Sequence, residues 1–128
     1  MGSRSFLTLA AAALASAGCA DFQRGPAPRD GGADDAQVVA FEKLVYPVLE
    51  RDCGECHSAS GQASTTNFVL TGNASLDRAM VVALVTPGNP SESRLLVQAT
   101  SDSHGGGQLF ATDSSEYQTI ADWILGLP

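Results

Sequence analysis

Basic side chains are scarce. Lys and Arg number 7 against 14 Asp and Glu, a net charge of −7. Phosphate backbones are bound by clustered Lys and Arg, so nucleic acid is not an expected partner. Cysteine is nearly absent and odd in number, 3 in all, which argues against a framework of paired disulfides. Only 2 His are present, which leaves little for acid–base catalysis, and no pairing of acidic groups suggests a substrate pocket. Aromatics make up 6% of the chain. A small domain so poor in aromatics usually needs a staple: a metal, a disulfide or a cofactor. Internal repeats are missing. So are clear runs of alternating polarity, and the expected fold class is therefore all-α.

The longest apolar run, Phe6 to Ala17, is shorter than the roughly 20 residues a membrane-spanning helix needs. With Arg4 before it and Ser16, Ala17 and Gly18 after it, the segment 1–18 reads as an export signal. Those small residues lead into Cys19 in a way that resembles a bacterial lipobox, although Ser16 stands where that motif usually has Leu. The resemblance implies cleavage before Cys19 and acylation of its thiol. More than one acyl chain is needed for stable anchoring. Ala20, not Asp, follows Cys19, which favours the outer membrane and hence the periplasmic side of a bacterial envelope. In an ordinary signal peptide Cys19 is incidental. Residues 19–34 carry Arg24-Gly25-Pro26-Ala27-Pro28 and Gly31-Gly32 and no apolar periodicity, so they are expected to form a flexible tether.

A single folded domain is expected over 35–128. Val38, Phe41, Val45, Val48 and Leu49 recur at helical spacing, with Asp34 or Asp35 as the cap and Pro47 as an interruption. Phe68-Val69-Leu70 reads as a short extended segment or simply an apolar contact strip. Ser75 to Val85 predicts a second helix and Pro90 to Ala99 a third, opened by Asn89 and Pro90. Asp113 with Glu116 predicts the start of a last helix, along which Tyr117, Ile120, Ile124 and Leu127 form one stripe.

Cys53-Gly54-Glu55-Cys56-His57 is a C-x-x-C-H motif. Two thiols at this spacing can each add to one vinyl group of a haem, and the adjacent imidazole then serves as an axial ligand to iron. The motif therefore predicts one covalent haem c held by Cys53 and Cys56, with His57 axial. Two other chemistries share its parts. A thioredoxin-like redox pair belongs in a βαβ pattern, which is not evident here. A zinc site needs about four ligands; Cys53, Cys56, His57 and His104 could be counted, but adjacent Cys56 and His57 are awkward for one tetrahedral ion.

The chain resembles class I c-type cytochromes, and more narrowly the short haem domains of planctomycete and myxobacterial surface proteins. The matching pieces run in order: Tyr46-Pro47-Val48-Leu49, Cys53 to His57, Pro87-Gly88-Asn89-Pro90, Ser93-Arg94-Leu95-Leu96, His104-Gly105-Gly106-Gly107, and Tyr117 through Trp123-Ile124. The resemblance implies about four short helices around the haem, with the N- and C-terminal helices packed together. It also implies electron transfer rather than an enzymatic reaction.

For the sixth iron ligand, His104 and Met80 are the candidates once His57 is used and Met1 is removed. Class I cytochromes carry a ligand Met in a Pro-rich loop, and no Met stands there in this chain. His104 occupies the equivalent stretch, beside three glycines that permit close approach to a flat group. Met80 lies in an apolar run, where Met is commonly a gap-filler. A bis-His haem of low potential is expected. Pro87 is a candidate for holding the free nitrogen of His57 through its carbonyl, and Arg94 for pairing with a haem propionate. The expected partner is a redox protein with a basic docking surface, reached from a membrane anchor. The alternative is a haem-based ligand sensor or accessory subunit with an open or weak sixth site; a third possibility is haem as a purely structural staple.

Overall fold

The computed structural model describes residues 32–128. Residues 1–31, where an export signal (1–18), Cys19 and most of a tether are expected, lie outside the described residues. Within them the fold is all-α. The helices are α1 (Gly32–Ala40), α2 (Tyr46–Cys53), α3 (Ala74–Val82), α4 (Arg94–Ala99) and α5 (Ser115–Leu125). A π-helical stretch, Phe41–Val45, joins α1 to α2, and a 3₁₀ turn, Pro90–Glu92, precedes α4. Among the described residues the only β-type pairing is an isolated parallel bridge between Ser58 and Leu70. No helix among them is long and apolar enough to cross a membrane. Gly32 to Asp34, expected to end the tether, belong to the first helix instead, with Asp34 in its first turn.

Pro47 explains the π stretch. It has no N–H to offer the carbonyl four residues back. Tyr46 instead donates its N–H to Phe41 O, one residue farther back than in an α-helix. Pro47 then falls in the first turn of α2, where a missing donor costs nothing. The wider turn also serves the core. Phe41, Val45, Leu49 and Cys53 are all buried and follow one another at steps of four. In a regular helix each such step would carry the row about 40° off the core face; the π turn absorbs part of that drift.

That face packs on α5. The Phe41 and Trp123 rings lie 5.1 Å apart, and Trp123 Nε1–H donates to Gln37 O at 3.2 Å. Phe41, Val45, Leu49, Leu96, Ile120 and Ile124 are all essentially inaccessible to solvent. A bond from Arg51 to Glu116 (3.1 Å) adds a tie between α2 and α5 at the surface, where such pairs contribute little.

Two of the other helices start from side-chain caps. Asn73 Oδ1 accepts the Leu76 N–H at 3.1 Å and opens α3. Ser114, not Asp113, caps α5: its Oγ accepts the Tyr117 N–H at 3.2 Å. The expected third helix from Pro90 to Ala99 is broken at Ser93, whose backbone is extended (φ −72°, ψ 118°). Ser93 is fully buried, and its hydroxyl accepts the Thr86 N–H and donates to Asn89 O, both at 2.9 Å. Those bonds tie the turn after α3 to α4, and a continuous helix would forfeit them.

Asp77, on α3, is the buried carboxylate of the domain. It accepts from the Tyr46 hydroxyl (2.9 Å), the Thr71 hydroxyl (2.8 Å) and the Thr71 N–H (2.9 Å). One side chain thus fixes α2, α3 and the segment between them. Burial, helped by the Asp77 carboxylate beside it, pushes the Tyr46 phenol up to about 12.

Candidate functional site

The C-x-x-C-H motif begins inside α2 and ends just past it. Cys53 is the last residue of the helix; the chain then turns, and His57 N–H donates to Cys53 O at 2.8 Å. Two further bonds anchor the turn: Ala63 N–H to Cys56 O (2.9 Å) and Leu70 N–H to His57 O (2.7 Å). Gly61 crosses close over the Cys56 carbonyl, in space that a Cβ would need.

Cys53, Cys56 and His57 line one cavity of about 430 Å³. That volume is in the ordinary range for a small-molecule or cofactor site. Phe68, Leu84, Leu95, Ala99 and Leu109 supply apolar wall, and Gln62, Asn67 and Gln98 supply polar groups. Arg94 is the one charged side chain on the wall and no carboxylate lines it, although the chain carries 14 Asp and Glu. The cavity is therefore suited to a largely apolar molecule bearing negative charge.

His104 lines the same cavity, with Gly105 and Gly106 beside it on the wall. Gly107, at φ +78°, turns the chain back in a conformation that other residues rarely adopt. The imidazole rings of His57 and His104 have centroids 5.9 Å apart and planes within 20° of parallel. Imidazole nitrogens bind a first-row metal ion at about 2.0–2.1 Å. Two imidazoles on opposite sides of one ion therefore have ring centres roughly 6 Å apart. The spacing of this pair fits that arrangement.

The tautomer of His57 is fixed. Its Nδ1 lies 2.7 Å from Phe68 O, and a carbonyl can only accept, so Nδ1 carries the proton. The lone pair is then on Nε2, as a metal ligand requires. The Thr66 hydroxyl lies 3.0 Å from the same carbonyl and 2.8 Å from Ala63 O, and the Phe68 ring packs on the His57 ring at 4.7 Å. His104 is held more loosely: its Nδ1 is 3.3 Å from both Gly107 O and Gly106 N, and either tautomer finds one of them.

Pro87 does not hold His57; the carbonyl of Phe68 does. The backbone of Phe68-Val69-Leu70 is engaged on the motif through Phe68 O and the Leu70 N–H, and a backbone acceptor leaves no mark in a sequence. Arg94 stands on the cavity wall, whereas Met80 does not. The Met80 sulfur accepts the Val69 N–H at 3.3 Å. Cys19 lies outside the described residues.

The Cys53 thiol is pushed up to about 12, first by burial and then by the charge of Asp52. A redox-active C-x-x-C needs the reverse, a thiol pulled down toward neutrality. Among the described residues no three His, Cys, Asp or Glu side chains gather closely enough to hold a metal ion by themselves. Compared with known protein families, characterised proteins and solved structures, the chain has no significant match.

Proposed function

We propose that this domain carries one haem c, bound through thioethers to Cys53 and Cys56 with His57 as one axial ligand and His104 as the other, and that it transfers electrons in the bacterial cell envelope. The observation that carries the reading is the convergence of both cysteines of a C-x-x-C-H motif and both histidines of the chain on one cavity, with the imidazoles 5.9 Å apart. Two imidazoles are too few for a free metal ion and the right number for a metal whose other positions a macrocycle fills. The bound group supplies one-electron chemistry.

The protein's own part follows from the wall. Phe68 O orients His57 and holds its proton on Nδ1. Leu84, Leu95 and Ala99 exclude water from the apolar part of the cavity, and Arg94 offers a guanidinium to an anionic edge. An all-α domain whose N-terminal helical rod packs through Phe41 on Trp123 of α5 supports the class I cytochrome c-like fold within this proposal. The export signal, lipid anchor at Cys19 and basic-faced redox partner belong to the same reading; the excess of acidic residues supports the last of these.

A second reading, a ligand-sensing haem with a weak sixth site, draws on the long 3.3 Å contacts that hold His104. Visible spectra of the haem-loaded protein and of His104→Ala decide between the two. A bis-His carrier is six-coordinate at rest and becomes high-spin on loss of His104. A spectrum indifferent to His104→Ala, or a far-red band of Met–iron ligation in the oxidised protein, overturns the His104 assignment.

A further inference from the structure

We propose that Met80 is a positioning residue for His57, acting through the Phe68–Val69 peptide rather than by touching iron. The proposal rests on the reading of His57 as an iron ligand. The Phe68 carbonyl and the Val69 N–H are the two ends of a single peptide group. At one end Phe68 O accepts His57 Nδ1–H at 2.7 Å; at the other, Val69 N–H donates to Met80 Sδ at 3.3 Å. The three groups form one chain of hydrogen bonds, from imidazole through peptide to thioether. Val69 is half-buried, and its amide needs an acceptor; among the described residues that acceptor is the sulfur.

Hydrogen bonds in series polarise one another. An acceptor on the Val69 N–H draws density onto Phe68 O, and the better acceptor pulls harder on the His57 proton. The imidazole gains anionic character and becomes a stronger donor at Nε2, which favours the oxidised metal. A Met off the iron thus lowers the potential, the opposite of what a ligating Met does. Met80 also fixes where the peptide sits, since α3 carries the sulfur and the peptide belongs to the segment that precedes α3.

The test is a redox titration of the haem-loaded full chain with Met80→Leu and Met80→Gln. Leu keeps the volume and removes the acceptor; Gln keeps an acceptor. In Met80→Leu the visible spectrum stays that of the wild type, while the redox equilibrium constant moves toward the reduced form by roughly two- to tenfold, the size a modest cooperative term gives. Met80→Gln returns it to or beyond the wild-type value. In the same haem-loaded protein, Val69 amide exchange is faster in Met80→Leu than in the wild type. An unchanged potential in Met80→Leu overturns the relay alone, and a lost axial band there makes Met80 a ligand and overturns it too. A wild-type chain that holds no haem on His57 overturns the functional reading, and the relay with it.

Discussion

Asp77→Asn is the perturbation that best probes how the site is supported. Asp77 is 2% exposed and receives the Tyr46 hydroxyl at one oxygen, the Thr71 hydroxyl at the other, and the Thr71 N–H between them. The amide of Asn replaces one accepting oxygen with an NH₂ group and removes the charge. The Tyr46 hydroxyl can rotate to accept from that NH₂, but the backbone N–H of Thr71 has no such freedom. Hydrogen bonds to charged groups contribute about 1.5–3 kcal/mol net, so the loss should be about 2–3 kcal/mol. For a domain of this size that corresponds to a fall of roughly 10–20 °C in Tm. Thermal unfolding followed by far-ultraviolet circular dichroism reads it directly. Tyr46→Phe should cost less, and the double variant should cost less than the sum, because the two changes share a bond. The effect should reach the site. The Leu70 N–H, bonded to His57 O, lies just before Thr71 and should exchange faster in Asp77→Asn. An Asp77→Asn protein within about 0.5 kcal/mol of wild type would refute the claim that this carboxylate pins the segment behind His57.

Trp123→Ala removes the ring that packs on Phe41 and the donor to Gln37 O, and should cost about 3–5 kcal/mol in urea unfolding. Tyr46 gives a pH dependence. Its phenol is raised to about 12 in the fold from an ordinary value of 10.0, so the unfolded chain loses its proton first as pH rises. The stability this group provides is complete below pH 10.0 and falls toward pH 12. Tyr46→Phe should flatten that alkaline limb in unfolding curves taken across the window; a limb of equal slope in the variant would assign the loss elsewhere. On the proposed haem reading, His104→Ala should convert the iron from low-spin to high-spin at neutral pH, read by visible absorption, while leaving the thioether attachment intact.

The parts of the molecule that are local in sequence were legible there. The motif from Cys53 to His57 stands out because its two thiols and imidazole sit at fixed local spacing, and the structure brings all three to one cavity. The stripe of Ile120 and Ile124 on α5 is legible because both are buried at one helical period, and Leu127, just past the helix end, is buried with them. What escaped is what depends on backbone atoms or on neighbours in space. Phe68 O, which fixes the His57 tautomer, is a carbonyl that any residue would carry. Pro47 marks an interruption, but whether the rod kinks, ends or widens into a π turn is decided by Phe41, Val45 and Leu49 needing the same core. Ser93 reads as an interior residue of a helix from Pro90 to Ala99; its burial and its bonds to Thr86 and Asn89 are what break that helix. The cap of α5 falls on Ser114 rather than Asp113, two adjacent residues equally able to accept a backbone N–H. His104 is a candidate in the sequence beside Met80, favoured by the resemblance, and its place with His57 on one cavity wall is a matter of tertiary structure alone.

The most direct test of the central claim is intact mass spectrometry of the denatured protein after export in a host competent for c-type haem maturation. The account predicts the mass of the processed chain plus one haem in the wild type, and loss of that increment when Cys53 and Cys56 are both replaced by Ser. A wild-type chain without the haem increment, with both thiols free to alkylation, would contradict it.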